Sequence, residues 1–511
     1  MAAAHTGPRS WADSLMVGGV KVKPTARTLV VPSKPTPEQW LRLSNLDRVV
    51  NPTFSSSILF YTRLLVRPNR TFEEIVQSLK ESLANVLVDF FPLAGRLALR
   101  DDGLVDLHCG DQGAVFVEAM VDADLDDLGG AQPMSALSGL EAARLGPGPL
   151  YIPDQLKPMP ALVVQVTRFR ACGSVAIAVN WHHTVADGSS GCHFMKSWSE
   201  VAMGRALSLK PDHNRDQLTP RFPLNSSLVN KGYSTRNVQE LQRLANPKLL
   251  PTAPPVLKLF PISQQAVLDL KAEAKTEDSV FTSAESVSGH LWKVTTKARR
   301  ECAQEDPDDH EIMVGRKRRT RFFMFVDGRK RLKLSPGYFG NVVCSACAEA
   351  TEEEIMARPV SYAADLIRKA VRNVSGEYFR SLIDWVEEQG RGQSKSEHVN
   401  SLGHDVAATF WTSFPLYQMD FGWGNPSFAT RNSGPRPLID GIAMMPSPEG
   451  PGNMVAILNL HADRMKRVEN DAGFLKAGVM SDSSGNSSGI PIDVSHQLQQ
   501  QLQRIGMPRA Y

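Results

Sequence analysis

The chain has 511 residues, 42% of them apolar and 22% charged, enough to bury a large core and to exclude wholesale disorder. Lys and Arg number 57 against 54 Asp and Glu, a formal charge of +3 that lacks the basic excess of a dedicated nucleic-acid binder. Six cysteines make no disulfide framework at this length, and no run approaches the ~18–20 apolar residues of a membrane span, so a cytoplasmic protein is expected.

Residues 1–19 read as a loose leader without the apolar region of a secretory signal. Val20–Val31 supplies a first strand and Ser55–Leu65 a buried one. Thr71, with Glu74 three residues on, predicts a capping box. Ile75, Leu79, Leu83, Val86, Leu87 and Phe90 follow at helical spacing, and the helix should end before Pro92. Arg96–Leu107 reads as a hairpin turning at Asp102-Gly103. Ala161–Arg168 and Ser174–Asn180 are strands joined at Cys172-Gly173, the second running into His182-His183, and a helix is expected from Ser190. Seven prolines between 206 and 255 mark a linker, which divides the chain into residues 20–215, a crossover at 216–255, and residues 256–475.

In the second half, Ser263 caps a helix through Ala272, and Thr282 or Ser283 caps another through Ala298. Thr320–Val326, Val342–Ala346 and Met454–Leu460 read as strands. The charged stretch at 303–320 reads first as a solvated loop, with nuclear import or phosphate binding as its other readings. Residues 476–511 include SDSSGNSSG at 481–489 and are expected to be a disordered tail. Strands and helices alternate irregularly in both halves, which predicts an α/β (α+β) protein of two similar-sized domains.

The candidate chemistry centres on Trp181-His182-His183-Thr184-Val185-Ala186-Asp187-Gly188. The histidines sit where an apolar strand ends and a Gly/Ser-rich turn begins, a place where side chains are held rigidly yet reach a cleft. Local sequence leaves His183 open between a catalytic base and a satisfied structural histidine. Asp420-Phe421-Gly422-Trp423-Gly424 suggests a tight loop with an anchored aromatic. Cys344-Ser345-Ala346-Cys347 has no second pair at metal spacing and reads as structural, so no metal site is expected.

Together, HTVADG at 183–188 and DFGWG at 420–424 resemble the BAHD family of plant acyl-CoA-dependent acyltransferases. SNLDRVV at 44–50, FFPLAGRL at 90–97, HLWKVTTKAR at 290–299, VDGRKRL at 326–332 and YFGN at 338–341 look like further family blocks in order, over about residues 20–475. The resemblance implies two domains of chloramphenicol-acetyltransferase-like topology with a channel between them and His183 midway along it. It implies acyl-CoA as co-substrate, a small-molecule hydroxyl acceptor, no bound cofactor and a monomer. Asp187, by resemblance, forms a structural ion pair, with Arg329 as candidate partner, and Gly188, Asp420, Gly422, Trp423 and Gly424 are architectural. Thr409-Phe410-Trp411 matches a Thr-x-Trp segment that lines the reaction centre in the hydroxycinnamoyltransferases of the family, which makes Thr409 and Trp411 candidate oxyanion donors.

The expected reaction is transfer of an acyl group, hydroxycinnamoyl by resemblance, to a hydroxyl. A histidine base would take the acceptor proton, with no acyl-enzyme. By the same resemblance, Ser55, Ser57 and Leu59 are expected to line the acceptor pocket, with Leu59 where the hydroxycinnamoyltransferases carry a tyrosine. Shikimate and quinate transferases resemble the chain but carry an arginine where Ser396, beside Lys395, stands here, so a neutral or apolar acceptor is expected at least equally. Other readings are N-acyl transfer to an amine, a non-catalytic family member that partners fatty-acyl elongation, and a nuclear protein addressed by GRKRRTR at 315–321.

Overall fold

Val175–His182 is buried at every position, and Phe54–Tyr61 at all but its first. Strands buried on both faces belong at the centre of a covered sheet. The computed structural model describes residues 15–17, 20–50, 52–62, 71–123, 158–229, 233–235, 255–305, 318–390, 395–397, 405–431 and 440–476, and it places both strands there. The seven-stranded sheet runs Leu15–Val17, Val20–Val30, Ala114–Val121, Leu162–Phe169, Val175–His182, Phe54–Tyr61, Phe428–Arg431. Its last strand comes from the second half of the chain, so one strand crosses the division drawn from the prolines at 216–255.

Register decides which side chains share a face. Ser55, Ser57 and Leu59 lie opposite Trp181, Val179 and Ile177, and Ser57 also lies opposite Arg431. Directly opposed residues point to the same side of a sheet.

The Thr71 capping box is present. Glu74 N donates to Thr71 Oγ1 at 3.2 Å, and Thr71 N donates to Glu74 Oε2 at 2.8 Å. The helix, Phe72–Asp89, buries Ile75, Leu79, Leu83 and Val86 and gives way to a single 3₁₀ turn, Phe91–Ala94, that takes up Pro92. A second helix, Gly188–Ala202, lies against it, and Trp198 Nε1 donates to Ser82 Oγ at 3.0 Å. It starts two residues before Ser190 because the Asp187 carboxylate caps it.

A six-stranded sheet organises the second half: Pro255–Ile262, Met454–His461, Asp440–Pro446, Asp405–Phe410, Arg319–Asp327, Val343–Thr351. The helix expected to end at Ala298 runs from Ser283 to Glu305. It packs on Val360–Asn373 through Gly289, where a Cβ would stand 3.0 Å from Ala364 N. Val360–Asn373 and Gly376–Glu388 are additions to the elements expected from sequence. Leu259, Ala443, Met445, Val455 and Ile457 of this sheet join the same apolar cluster as Trp181, Trp411 and Phe421. The cores of the two sheets are therefore continuous.

Two small sheets complete the described structure. One has four strands, Gln39–Leu41, Val105–Cys109, Arg96–Leu99 and Met159–Pro160, and one has two, Tyr233–Thr235 and Lys395–Glu397. Much of the linker (230–232 and 236–254), most of the charged stretch (306–317) and the tail from 477 lie outside the described residues. Among the described residues no helix is long and apolar enough to cross a membrane, and no cluster of His, Cys, Asp or Glu could hold a metal ion. Cys344 and Cys347 are not disulfide-bonded.

Two packed histidines make stability depend on pH. His213 Nε2 lies 2.8 Å from Asp89 O, and the ring meets Phe91 and Phe339 edge-on. Burial lowers its pKa to about 4, and burial lowers that of His290 to about 4 as well. An unfolded histidine titrates near 6.5. Between those values the unfolded chain takes up protons that the folded one refuses, so stability is whole above the upper value and falls as pH drops. Each site is worth up to about 3 kcal/mol. Urea midpoints should be level near pH 7.5 and fall steadily towards pH ~4.5. The slope should flatten in His213→Gln, and an unchanged slope would sink this account.

Candidate active site

His183 follows the fully buried Val175–His182 strand, and its N–H donates to Thr53 O at 2.8 Å. His182 O then accepts Val185 N at 2.9 Å, and Asp187 caps the next helix. The half-buried His183 is thus clamped between two rigid elements.

Its ring orientation is set from 158 residues away, where Asn341 Oδ1 stands 3.1 Å from His183 Nδ1. Asn341 Nδ2 donates to Asp47 Oδ1 at 2.9 Å and to His183 O at 2.7 Å. Both of those partners only accept, so the amide cannot be flipped and its oxygen faces the imidazole. In the neutral ring Nδ1 therefore carries the hydrogen and Nε2 the lone pair. Asp47 is held in turn. Its Oδ1 also accepts Asn341 N at 2.8 Å, and its Oδ2 accepts Arg215 Nε at 3.0 Å and Ser44 Oγ at 2.8 Å. Arg215 further donates to Val185 O at 3.1 Å and to Phe339 O. Burial opposes its charge most, but Asp47, Tyr338 and Cys109 together overcome burial and raise its pKa above the ordinary arginine value.

Asp187 faces a different partner. Arg329 donates to it twice, Nη1 to Oδ2 at 2.9 Å and Nη2 to Oδ1 at 3.0 Å. Ser190 N donates to Oδ1 and Val342 N to Oδ2, at 2.8 and 2.9 Å. Four donors fill a carboxylate's capacity, so none remains to orient the His183 ring. Burial alone would raise the Asp187 pKa, but the Arg329 charge and these donors overcome it and hold it below the ordinary value. Arg329 also donates to Ser190 Oγ, Gly340 O and Tyr338 O at 2.8, 3.0 and 3.2 Å, which ties the 187–190 turn to the loop carrying Asn341.

Trp411 borders the same turn. A Cβ on Gly188 would stand 3.2 Å from its ring and from Phe414. The indole stacks on Trp181 with centroids 6.1 Å apart and planes at 21°, and Trp411 N donates to Met444 O at 2.7 Å. Thr409, half-buried, lies two residues earlier opposite Ala443. Ser55, Ser57 and Leu59 are buried on the face of Trp181, and Ser57 Oγ donates to Thr430 O at 3.3 Å.

The Asp420 loop is built around its own carboxylate. Asp420 Oδ1 accepts the N–H groups of Gly422, Trp423 and Gly424 at 2.8, 3.0 and 2.8 Å. Gly422 and Gly424 have φ of 97° and 103°, a region that side chains strain to enter. Phe421 and Trp423 stack on each other, and Phe421 also packs edge-on to Trp198 at 4.9 Å. The loop thus packs the chain leading into the Phe428–Arg431 strand onto the Gly188–Ala202 helix.

Sequence reasoning assigned no role to Asp47, Asn341 or Arg215. The first two fall inside blocks, SNLDRVV and YFGN, that carry the family resemblance. Arg215 has no local signal, because its partner Asp47 is 168 residues away.

The chains similar to this one include the following acyltransferases. Shikimate O-hydroxycinnamoyltransferase of Nicotiana tabacum is 31% identical over 88% of this chain and 99% of its own. A hydroxycinnamoyltransferase of Narcissus pseudonarcissus is 34% identical over 88% and 98%. Hydroxycinnamoyl-CoA:5-hydroxyanthranilate N-hydroxycinnamoyltransferase of Avena sativa is 31% identical over 86% and 96%. The crystal structure of vinorine synthase shares the fold, with a TM-score of 0.67 at 21% identity over 90% of this chain and 99% of that one. The Transferase family description matches residues 20–475, and with these relatives it shows that the chain belongs to the BAHD acyltransferases of that family.

Proposed function

We propose that the protein transfers a hydroxycinnamoyl group from CoA to the hydroxyl of a small acceptor, with His183 as general base. The observation that supports this most directly is the Asn341 amide, which leaves Nε2 of His183 as the atom bearing the lone pair. A hydroxyl is a poor nucleophile toward a thioester until a base takes its proton, and an imidazole is largely neutral at pH 7. As Nε2 takes the proton, the acceptor oxygen attacks the thioester carbonyl carbon. The tetrahedral oxyanion collapses and expels the CoA sulfur, which leaves as a thiol with the proton from Nε2. An ester and free CoA result, and no residue of the protein is acylated. Thr409 Oγ1–H and Trp411 Nε1–H are the donors proposed for the oxyanion. Holding both substrates in one complex supplies the rest of the acceleration by orientation.

The donor class follows the relatives, whose names specify hydroxycinnamoyl transfer, in one case from its CoA thioester. The Avena sativa relative acts on nitrogen, which keeps amine acceptors as the second reading. The test is free-thiol release from a panel of acyl-CoAs with shikimate, quinate, 5-hydroxyanthranilate, aromatic alcohols and long-chain alcohols. Acceptor-dependent release giving an alkali-labile product is the expected result. An alkali-stable amide would select the amine reading. No release from folded protein with any donor would replace transfer by the non-catalytic partner role in fatty-acyl elongation.

A further inference from the structure

We propose that Arg215 and Asp47 form one positioning unit for the transfer reaction, acting through Asn341 to keep the His183 ring protonated at Nδ1 and so able to act as a base at Nε2; this deepens the transfer reading above and rests on it. The hydrogen bond from Asn341 Nδ2 to His183 O cannot place the imidazole by itself, because that carbonyl belongs to the residue being placed. An anchor outside His183 is required, and Asp47 supplies it. Its Oδ1 accepts both the backbone N–H and the side-chain Nδ2 of Asn341, at 2.8 and 2.9 Å, which fixes the amide at two points.

Asp47 is fully buried, and a buried carboxylate is costly to keep charged without a partner. Arg215 is that partner, and its place in the chain lets it do more. Asn214 caps the 3₁₀ turn Arg215–Leu218, and the chain just ahead is tied to the Asn341 loop, where Phe339 N donates to Asp212 O at 2.8 Å. From there the guanidinium reaches three segments at once, Asp47 through Nε, Phe339 O through Nη1 and Val185 O through Nη2. Val185 follows His183 by two residues, and Phe339 precedes Asn341 by two. Gly340 makes room for this, since a Cβ there would stand 2.7 Å from the Arg215 guanidinium carbon. Apolar residues of similar volume often replace a buried ion pair with no loss of stability. Stability alone therefore does not explain a charged pair here. Direction does: a carboxylate offers Asn341 acceptors only, so the amide has a single orientation.

The test separates direction from stability. Arg215→Met alone strands the Asp47 charge and should lower both the urea midpoint and kcat. Adding Asp47→Leu removes the stranded charge and should recover most of the midpoint. It should leave kcat roughly 10- to 100-fold below wild type, the scale of a slight misplacement of a reacting group, with little change in the KM for acyl-CoA. Arg215→Lys keeps the charge and should hold kcat closer to wild type. Nitrogen NMR of protein carrying isotope-labelled histidine reads the ring without substrate, at about pH 8, above the ordinary histidine range. Among the 12 histidines, the His183 signals are those lost in His183→Ala. Wild type should show a protonated Nδ1 and a bare Nε2, and the Asp47→Leu/Arg215→Met variant a mixture of both forms. A ring that stays wholly Nδ1-protonated in that variant overturns the proposal, whatever its kcat. So does a wild-type ring protonated at Nε2. These spectra decide the proposal even where no donor gives thiol release and the transfer reading fails.

Discussion

Replacing His183 with alanine is expected to lower kcat/KM about 10²- to 10⁴-fold, the usual loss when a general base is removed. The fold should survive. The His183 backbone keeps its hydrogen bond to Thr53 O, and its carbonyl still accepts from Asn341 Nδ2. The truncation takes one partner from Asn341 Oδ1, a cost of about 1 kcal/mol. The change should appear in kcat, with little effect on the KM for acyl-CoA, because a proton transfer made only in the transition state is lost. Steady-state thiol release, with circular dichroism as the control for folding, checks it. A variant with near wild-type kcat would remove His183 from the base role.

Replacing Arg329 with methionine is expected to cost about 3–5 kcal/mol of stability, because it strands a buried carboxylate. Asp187 is 1% exposed, and Arg329 supplies two of the four donors on its oxygens. The amides of Ser190 and Val342 cannot replace a full positive charge. Activity should fall too, because Arg329 holds Gly340 O and Tyr338 O beside the Asn341 that orients His183. Arg329→Lys keeps the charge but not the two-pronged geometry and should fall between. Adding Asp187→Asn to Arg329→Met should recover part of the lost stability by removing the stranded charge. Urea unfolding followed by the fluorescence of the eight tryptophans measures all three. Wild-type stability with activity abolished would mean that Arg329 acts on the reaction itself rather than through Asp187.

Much of the local architecture was legible before any coordinates. The Thr71 capping box needs only residues 71 to 74, and the hairpin turn at Gly103 needs only a residue free to adopt a φ of 79°. The turn at Gly173, with a φ of 67°, is of the same kind. These features depend on neighbours a few positions apart, which is the range over which periodicity and turn chemistry act. The sequence pattern puts the start of the Gly188–Ala202 helix at Ser190, two residues late. Asp187 caps the helix and pairs with Arg329 at once, and only the second role was anticipated.

Periodicity and motif blocks are enough to read the mixed α/β class, the family resemblance with its Asp187 and Arg329 candidates, and the setting of His183 at a strand end. That Asn341 orients His183, and that Asp47 and Arg215 hold Asn341 in place, emerges only when distant segments pack together. These contacts join residues as much as 294 positions apart. Sheet register and the packing of the shared core bring such residues together, and neither leaves a trace in the spacing of neighbours along the chain.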